Sequence, residues 1–159
     1  MFSIGEKVFY PNHGAGVITS IEEKEFLGET HLYYVLDMLL RELHIMVPVA
    51  KVARLGIRHI VDLDLMENLL TIFNDGEPDP TINASQRQRL NMEKMKSGNI
   101  YEGAEVIRDL TCISKKRVLG AGDKMMLDNA QQLFISELAL VKGLEKEQAS
   151  QLFKRVMHN

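Results

Sequence analysis

Gly5–Ile21 reads GEKVFYPNHGAGVITSI. Val8, Phe9 and Tyr10 are strand formers, with side chains that suit a pleated, half-buried surface. Pro11, Asn12, His13, Gly14 and Gly16 follow as a turn cluster, because proline presets its own φ and Asn and Gly tolerate positive φ. Val17 and Ile18 begin a second strand. A short strand, a tight turn and a return predict a small, strongly bent sheet. Such a sheet states no function by its geometry.

Moving outward, residues 1–58 read as β throughout. Thr19 to Phe26 continues the second strand, with Glu22, Glu23 and Glu25 exposed. Leu27-Gly28-Glu29 is a turn, and His31 to Met38, rich in aromatic and β-branched residues, pairs back. Leu39 to Glu42 turns again. Leu43 to Val49, LHIMVPV, is the last clear strand. Pro48 lacks a backbone N–H, so it puts this strand at an edge or ends it. Four or five short strands with tight turns predict a small barrel of the SH3 or Tudor type.

Residues 59–159 read as α. Ile60, Leu63, Met66, Leu69, Leu70 and Phe73 recur at helical spacing behind Asp62 and Asp64, acids that suit a helix start. Asn74 to Pro80 breaks that helix with two prolines and a glycine. Further helices are expected over about 84–96, 99–116, 124–141 and 145–157, with Asp123 as the N-cap of the fourth and Gly143 as its stop. The fold class expected is therefore α+β in two domains: a small Tudor/SH3-like β-barrel over 1–58, then an all-α domain of about five helices over 59–159.

The composition is that of an ordinary globular protein, 45% hydrophobic and 26% charged. No apolar run approaches the roughly 20 residues of a membrane span, and the first ten residues lack the pattern of a signal peptide. One cysteine, Cys112, cannot form an internal disulfide; a reducing cytoplasm is expected. The net charge of −3 hides an asymmetry. Residues 1–79 carry 6 Lys+Arg against 13 Asp+Glu, or −7; residues 80–159 carry 13 against 9, or +4. Two halves with different partners are implied.

Catalysis is not expected. His13, His31, His44, His59 and His158 show no metal-binding spacing, and a lone cysteine excludes a thiolate zinc cage. No phosphate-binding loop, nucleophile elbow or cofactor motif is present. His13 is expected to hydrogen-bond within its own turn.

The cations are more informative. Arg87 and Lys94 share one face of the second helix, and Arg89 and Lys96 another. Arg108 follows, then Lys115, Lys116 and Arg117 at a helix end, then Lys124. Such clustering suits phosphate. It equally suits a solvated face and a helix C-terminus, where each charge contributes roughly 0.3–1 kcal/mol. Leu43, His44, Ile45, Met46, Val47 and Pro48 form an edge that could accept a partner's strand. Protection of the edge by Pro48 reads equally well.

Together these residues resemble the CarD/CdnL family of bacterial RNA-polymerase-binding transcription regulators. The resemblance runs the length of the chain: the opening stretch through Glu22, YYVL at 33–36, VPV at 47–49, LGIR at 55–58, LNMEKMKSGN at 90–99, AEVIRDL at 104–110, LGAGDKMML at 119–127 and ISELAL at 135–140. It implies a Tudor-like domain that pairs its sheet edge with the RNA polymerase β subunit. It also implies a helical domain that touches promoter DNA at the upstream edge of the bubble, with little sequence choice. Many members carry a tryptophan wedge in the segment matching Asn83-Ala84-Ser85; here Ala84 stands in its place. Some members use arginines where Lys24 and Met46 align. The implied polymerase-binding residues are thus Lys24 and Leu43 to Pro48. The implied DNA-binding residues are Ala84, Arg87, Arg89, Lys94, Lys96, Arg108, Lys115, Lys116, Arg117 and Lys124. No cofactor, metal or membrane partner is implied, and a monomer is expected, cytoplasmic and carried to the nucleoid by polymerase. An adaptor on polymerase with no DNA contact is the alternative.

Overall fold

The computed structural model of the protein describes residues 1–158. Five strands come first: β1 (Lys7–Tyr10), β2 (Gly14–Phe26), β3 (Glu29–Met38), β4 (His44–Pro48) and β5 (Arg58–His59). They pair antiparallel in the order β4-β3-β2-β1-β5. Five helices follow: α1 (Leu63–Ile72), α2 (Ala84–Ser97), α3 (Ile100–Lys116), α4 (Ala121–Lys142) and α5 (Lys146–Met157). The β-then-α architecture expected from the sequence is the architecture found. The last strand straddles the expected division after residue 58.

Leu27 and Gly28 both have positive φ, 52° and 79°, which closes β2 onto β3 with a twist that suits a two-residue hairpin. Between Ile18 and Ser20 the register slips by one residue, a bulge that bends β2. β4 pairs with Tyr33 to Asp37 alone, so the outer part of the β2–β3 hairpin runs on as a two-stranded ribbon.

The first strand decides the packing. Its side chains alternate between faces. Val8 joins Ile18, Tyr34, Leu36, Met38, Val47 and Ile57 in the core of the sheet. Phe9 and its cross-strand partner Ala15 point the other way, into the core made by the helices. That second core centres on Phe73, Phe134 and Phe153, whose ring centroids lie 4.9–5.7 Å apart. The sheet is therefore packed directly onto the helices.

Three expectations are corrected. Asp123 is not the N-cap of α4; the cap is an extended Gly120, three residues earlier, and Asp123 is buried in the first turn of the helix. Leu63 belongs to the helical spacing of α1 but is exposed, because it lies at the very start of the helix. Among the described residues, the His13 ring makes no hydrogen bond. Its backbone N–H donates to the Tyr10 carbonyl at 2.9 Å, and its ring lies 4.3 Å from that of Tyr10. Burial, then the nearby Arg41 guanidinium, holds His13 below the ordinary histidine range.

Just before β1, Glu6 meets the His59 ring of β5 at 2.6 Å. That hydrogen bond holds the Glu6 carboxyl below its ordinary value of 4.5. A depressed carboxyl contributes stability above its unfolded pKa and loses it as pH falls through the folded one. Glu6→Gln is therefore expected to flatten the fall in melting temperature below about pH 4.5, read in thermal melts across that range.

Candidate functional site

Two surfaces and the junction between them make up the candidate site. The first is β4, an end strand with one edge unpaired in the sheet. Val47 is buried and Ile45 half-buried, so they anchor the strand to the core. Leu43, His44 and Met46 are exposed, and Pro48 closes the strand. Pro48 thus sits where a missing N–H costs no ladder bond. Lys24 lies on β2, two strands further in, on the ribbon, opposite His31 and 3.7 Å from Glu22. It therefore shares the sheet with β4 but lies beyond the reach of its ladder.

The second surface is the cationic end of the helices. Asn83 caps α2 by accepting from the Gln86 N–H at 2.9 Å, and Gln86 accepts in return from Asn83 at 3.1 Å. This capping box fixes where α2 starts and leaves Ala84 exposed in its first turn. The two faces of α2 then behave differently. Arg87 is turned inward and binds Asp123 at 2.8 Å, pinning α2 to the start of α4. Lys94, on the same face, binds Glu105 of α3 at 3.0 Å. Arg108 binds Asp109 at 2.9 Å and the Asp75 carbonyl at 3.3 Å.

Arg89, Lys96, Lys115, Lys116, Arg117 and Lys124 are exposed and form no ion pair among the described residues. Lys116 and Arg117 border a cleft of ≈ 240 Å³ between α2, the end of α3 and the 77–82 segment, with Arg87 and Lys94 in its wall. Lys124 follows Asp123 directly and so lies beside the pinned start of α2. The fold thus brings Ala84, Arg87, Lys116, Arg117 and Lys124 to one end of the helical half. Arg108 lies elsewhere, packed over Gly76.

The junction holds what sequence reasoning missed. Glu137 of α4 is 1% exposed and carries three hydrogen bonds. Arg58 donates to both its oxygens, at 2.8 and 2.9 Å, and the Val61 N–H donates at 2.9 Å. Beside it, Ser136 Oγ accepts from the Ala15 N–H at 3.0 Å. These partners lie 76 to 121 residues apart in sequence, so no periodicity could have paired them.

Residues 2–61 match a family described as the CarD-like/TRCF RID domain, and residues 68–154 match the CarD, C-terminal domain. The chain belongs to the CarD family. The putative transcription factor YdeB of Bacillus subtilis (strain 168) is 44% identical over 148 residues, which is 93% of this chain and 97% of that one. The solution structure of the 72-residue N-terminal domain of Myxococcus xanthus CarD is 29% identical. It covers 37% of this chain and 79% of that domain, with a TM-score of 0.32. In this CarD-family chain Arg58 falls in the first matched segment and Glu137 in the second.

Proposed function

We propose that this CarD-family protein regulates transcription without catalysing a reaction. Residues 1–58 dock on the RNA polymerase β subunit through the free edge of β4, with Lys24 a separate contact on the β2–β3 ribbon. Residues 59–159 lay exposed cations along promoter DNA. The protein works in the cytoplasm as a monomer, held at the nucleoid by polymerase. The observation that carries this reading is the division of the candidate cations. Arg87, Lys94 and Arg108 are paired with the protein's own carboxylates, Lys94 at the surface, while Arg89, Lys96, Lys115, Lys116, Arg117 and Lys124 are exposed and unpaired among the described residues. Free cations at a helix face and two helix ends suit sequence-independent phosphate contact. Ala84 offers one methyl group, too little to fill a distorted base step, so the contact is with the backbone. Joint binding favours the melted promoter to the extent that both contacts are better there than in the closed complex.

Salt titration tests the DNA half. Each phosphate contact contributes about −0.9 to the log–log slope on duplex DNA. The double variant Arg89→Ala/Lys96→Ala is expected to flatten the slope by roughly 1.8 with its melting temperature unchanged. An unchanged slope removes these two cations from the mechanism. For the sheet half, Met46→Asp in the full chain is expected to abolish capture of the polymerase β subunit.

The internal pairing of Arg87, Lys94 and Arg108 favours a second reading, an adaptor that binds polymerase and a second protein but no DNA. Footprinting of a polymerase–promoter complex separates the two. New protection at the upstream bubble edge supports DNA contact, and none supports the adaptor.

A further inference from the structure

We propose that Arg58 and Glu137 are positioning residues, which hold the sheet and the helices at one fixed angle so that a docked sheet places the cationic face on DNA. The inference rests on the function proposed above. One guanidinium touches three elements: both oxygens of Glu137 on α4, the Gly98 carbonyl at the end of α2 at 2.9 Å, and the Phe9 ring of β1 at 4.6 Å. The preceding residue of α4, Ser136, grips β2 through the Ala15 N–H. The opening turn is wedged between them. A Cβ on Gly98 would lie 2.6 Å from Pro11, and one on Gly14 would lie 2.9 Å from Ser136 Oγ.

Apolar packing between the halves would hold them together about as well, since a buried ion pair is often matched by hydrophobic residues of the same volume. What the pair adds is direction: four bonds from two side chains tie the β5 segment to α2 and α4 and favour one relative placement of strand and helix. With a slack linkage the cations would be spread over many placements, and their effective concentration at the DNA would fall.

Glu137→Gln tests this. The amide sets a donor against the guanidinium and releases the angle while leaving the docking strand and the free cations in place. The halves stay in contact through Phe9 and Ala15, and the loosened angle is expected as added microsecond–millisecond exchange at the junction residues in ¹⁵N relaxation. Capture of the β subunit and the salt slope on DNA alone should be unchanged, and open-complex lifetime should fall by roughly tenfold. A reversible staple provides the rescue. A Cβ on Gly14 would lie 3.6 Å from that of Ser136, within disulfide range. Gly14→Cys and Ser136→Cys are added to the Glu137→Gln variant, together with Cys112→Ser. The strain of φ +92° at residue 14 is common to both redox forms, so oxidised against reduced isolates the linkage. The oxidised form is expected to recover the lifetime and the reduced form to lose it. Three results overturn the proposal: no added exchange at the junction of Glu137→Gln, added exchange with an undiminished lifetime, or a lifetime that stays short with the staple closed. If the unaltered protein does not change open-complex lifetime, it is the parent function that fails, and the relaxation data still judge the clamp.

Discussion

Arg58→Ala is expected to cost about 3–4 kcal/mol of folding stability, read as a lower denaturant midpoint at unchanged slope. The substitution leaves Glu137 buried at 1% exposure with the Val61 N–H as its remaining partner. Removing one member of a buried pair costs roughly 3–5 kcal/mol, because the other charge is stranded. Water reaches part of the Arg58 side chain, 28% exposed, which places the expectation toward the lower end. The Gly98 carbonyl loses its donor as well, and Phe9 loses the guanidinium over its face. A cost under about 1 kcal/mol would mean that water enters and solvates Glu137, as at an exposed pair.

Arg87→Ala is expected to behave differently from Arg89→Ala, two positions along the same helix. Asp123 is 3% exposed, so removing Arg87 strands a buried carboxylate and costs about 3 kcal/mol. This second pair is less complete than the first. Arg87 Nε and Asp123 Oδ1 are both buried without a hydrogen-bond partner among the described residues. An incompletely satisfied pair is the kind that apolar residues replace well. The double variant Arg87→Met/Asp123→Leu should therefore recover most of the loss. Chemical denaturation of the single and double variants measures both. Arg89→Ala, on the exposed face, should lie within about 0.5 kcal/mol of the unaltered protein. Weaker DNA binding by Arg87→Ala would then report a shifted α2, not a lost phosphate contact.

The contrast marks what could be read from the chain. Local signals were legible: β-branched and aromatic runs for the strands, Asn99 and Asp62 at helix starts, Gly98 and Gly143 at helix ends, apolar spacing for the cores. The seven-residue spacing of Arg87 and Lys94 correctly put them on one face. It could not say that this face turns inward, because that depends on Asp123 and Glu105, which other helices supply. Asp123 was misread for the same reason. As a short acid soon after two glycines it has the chemistry of an N-cap, and its long-range partner overrides that preference. Arg58 and Glu137 gave no signal, since each looks like an ordinary surface charge until the fold joins them.

The wedged opening turn has a consequence for kinship. Phe9 and Ala15 are sheet residues by sequence but helical-core residues by burial, and Gly14 and Gly98 are shaped to neighbours in the opposite half. The two segments therefore cannot be exchanged freely among CarD relatives. A hybrid joined near residue 60 inherits a plug from one parent and its socket from another, and hybrids that also carry the donor's α4 face should be the soluble ones.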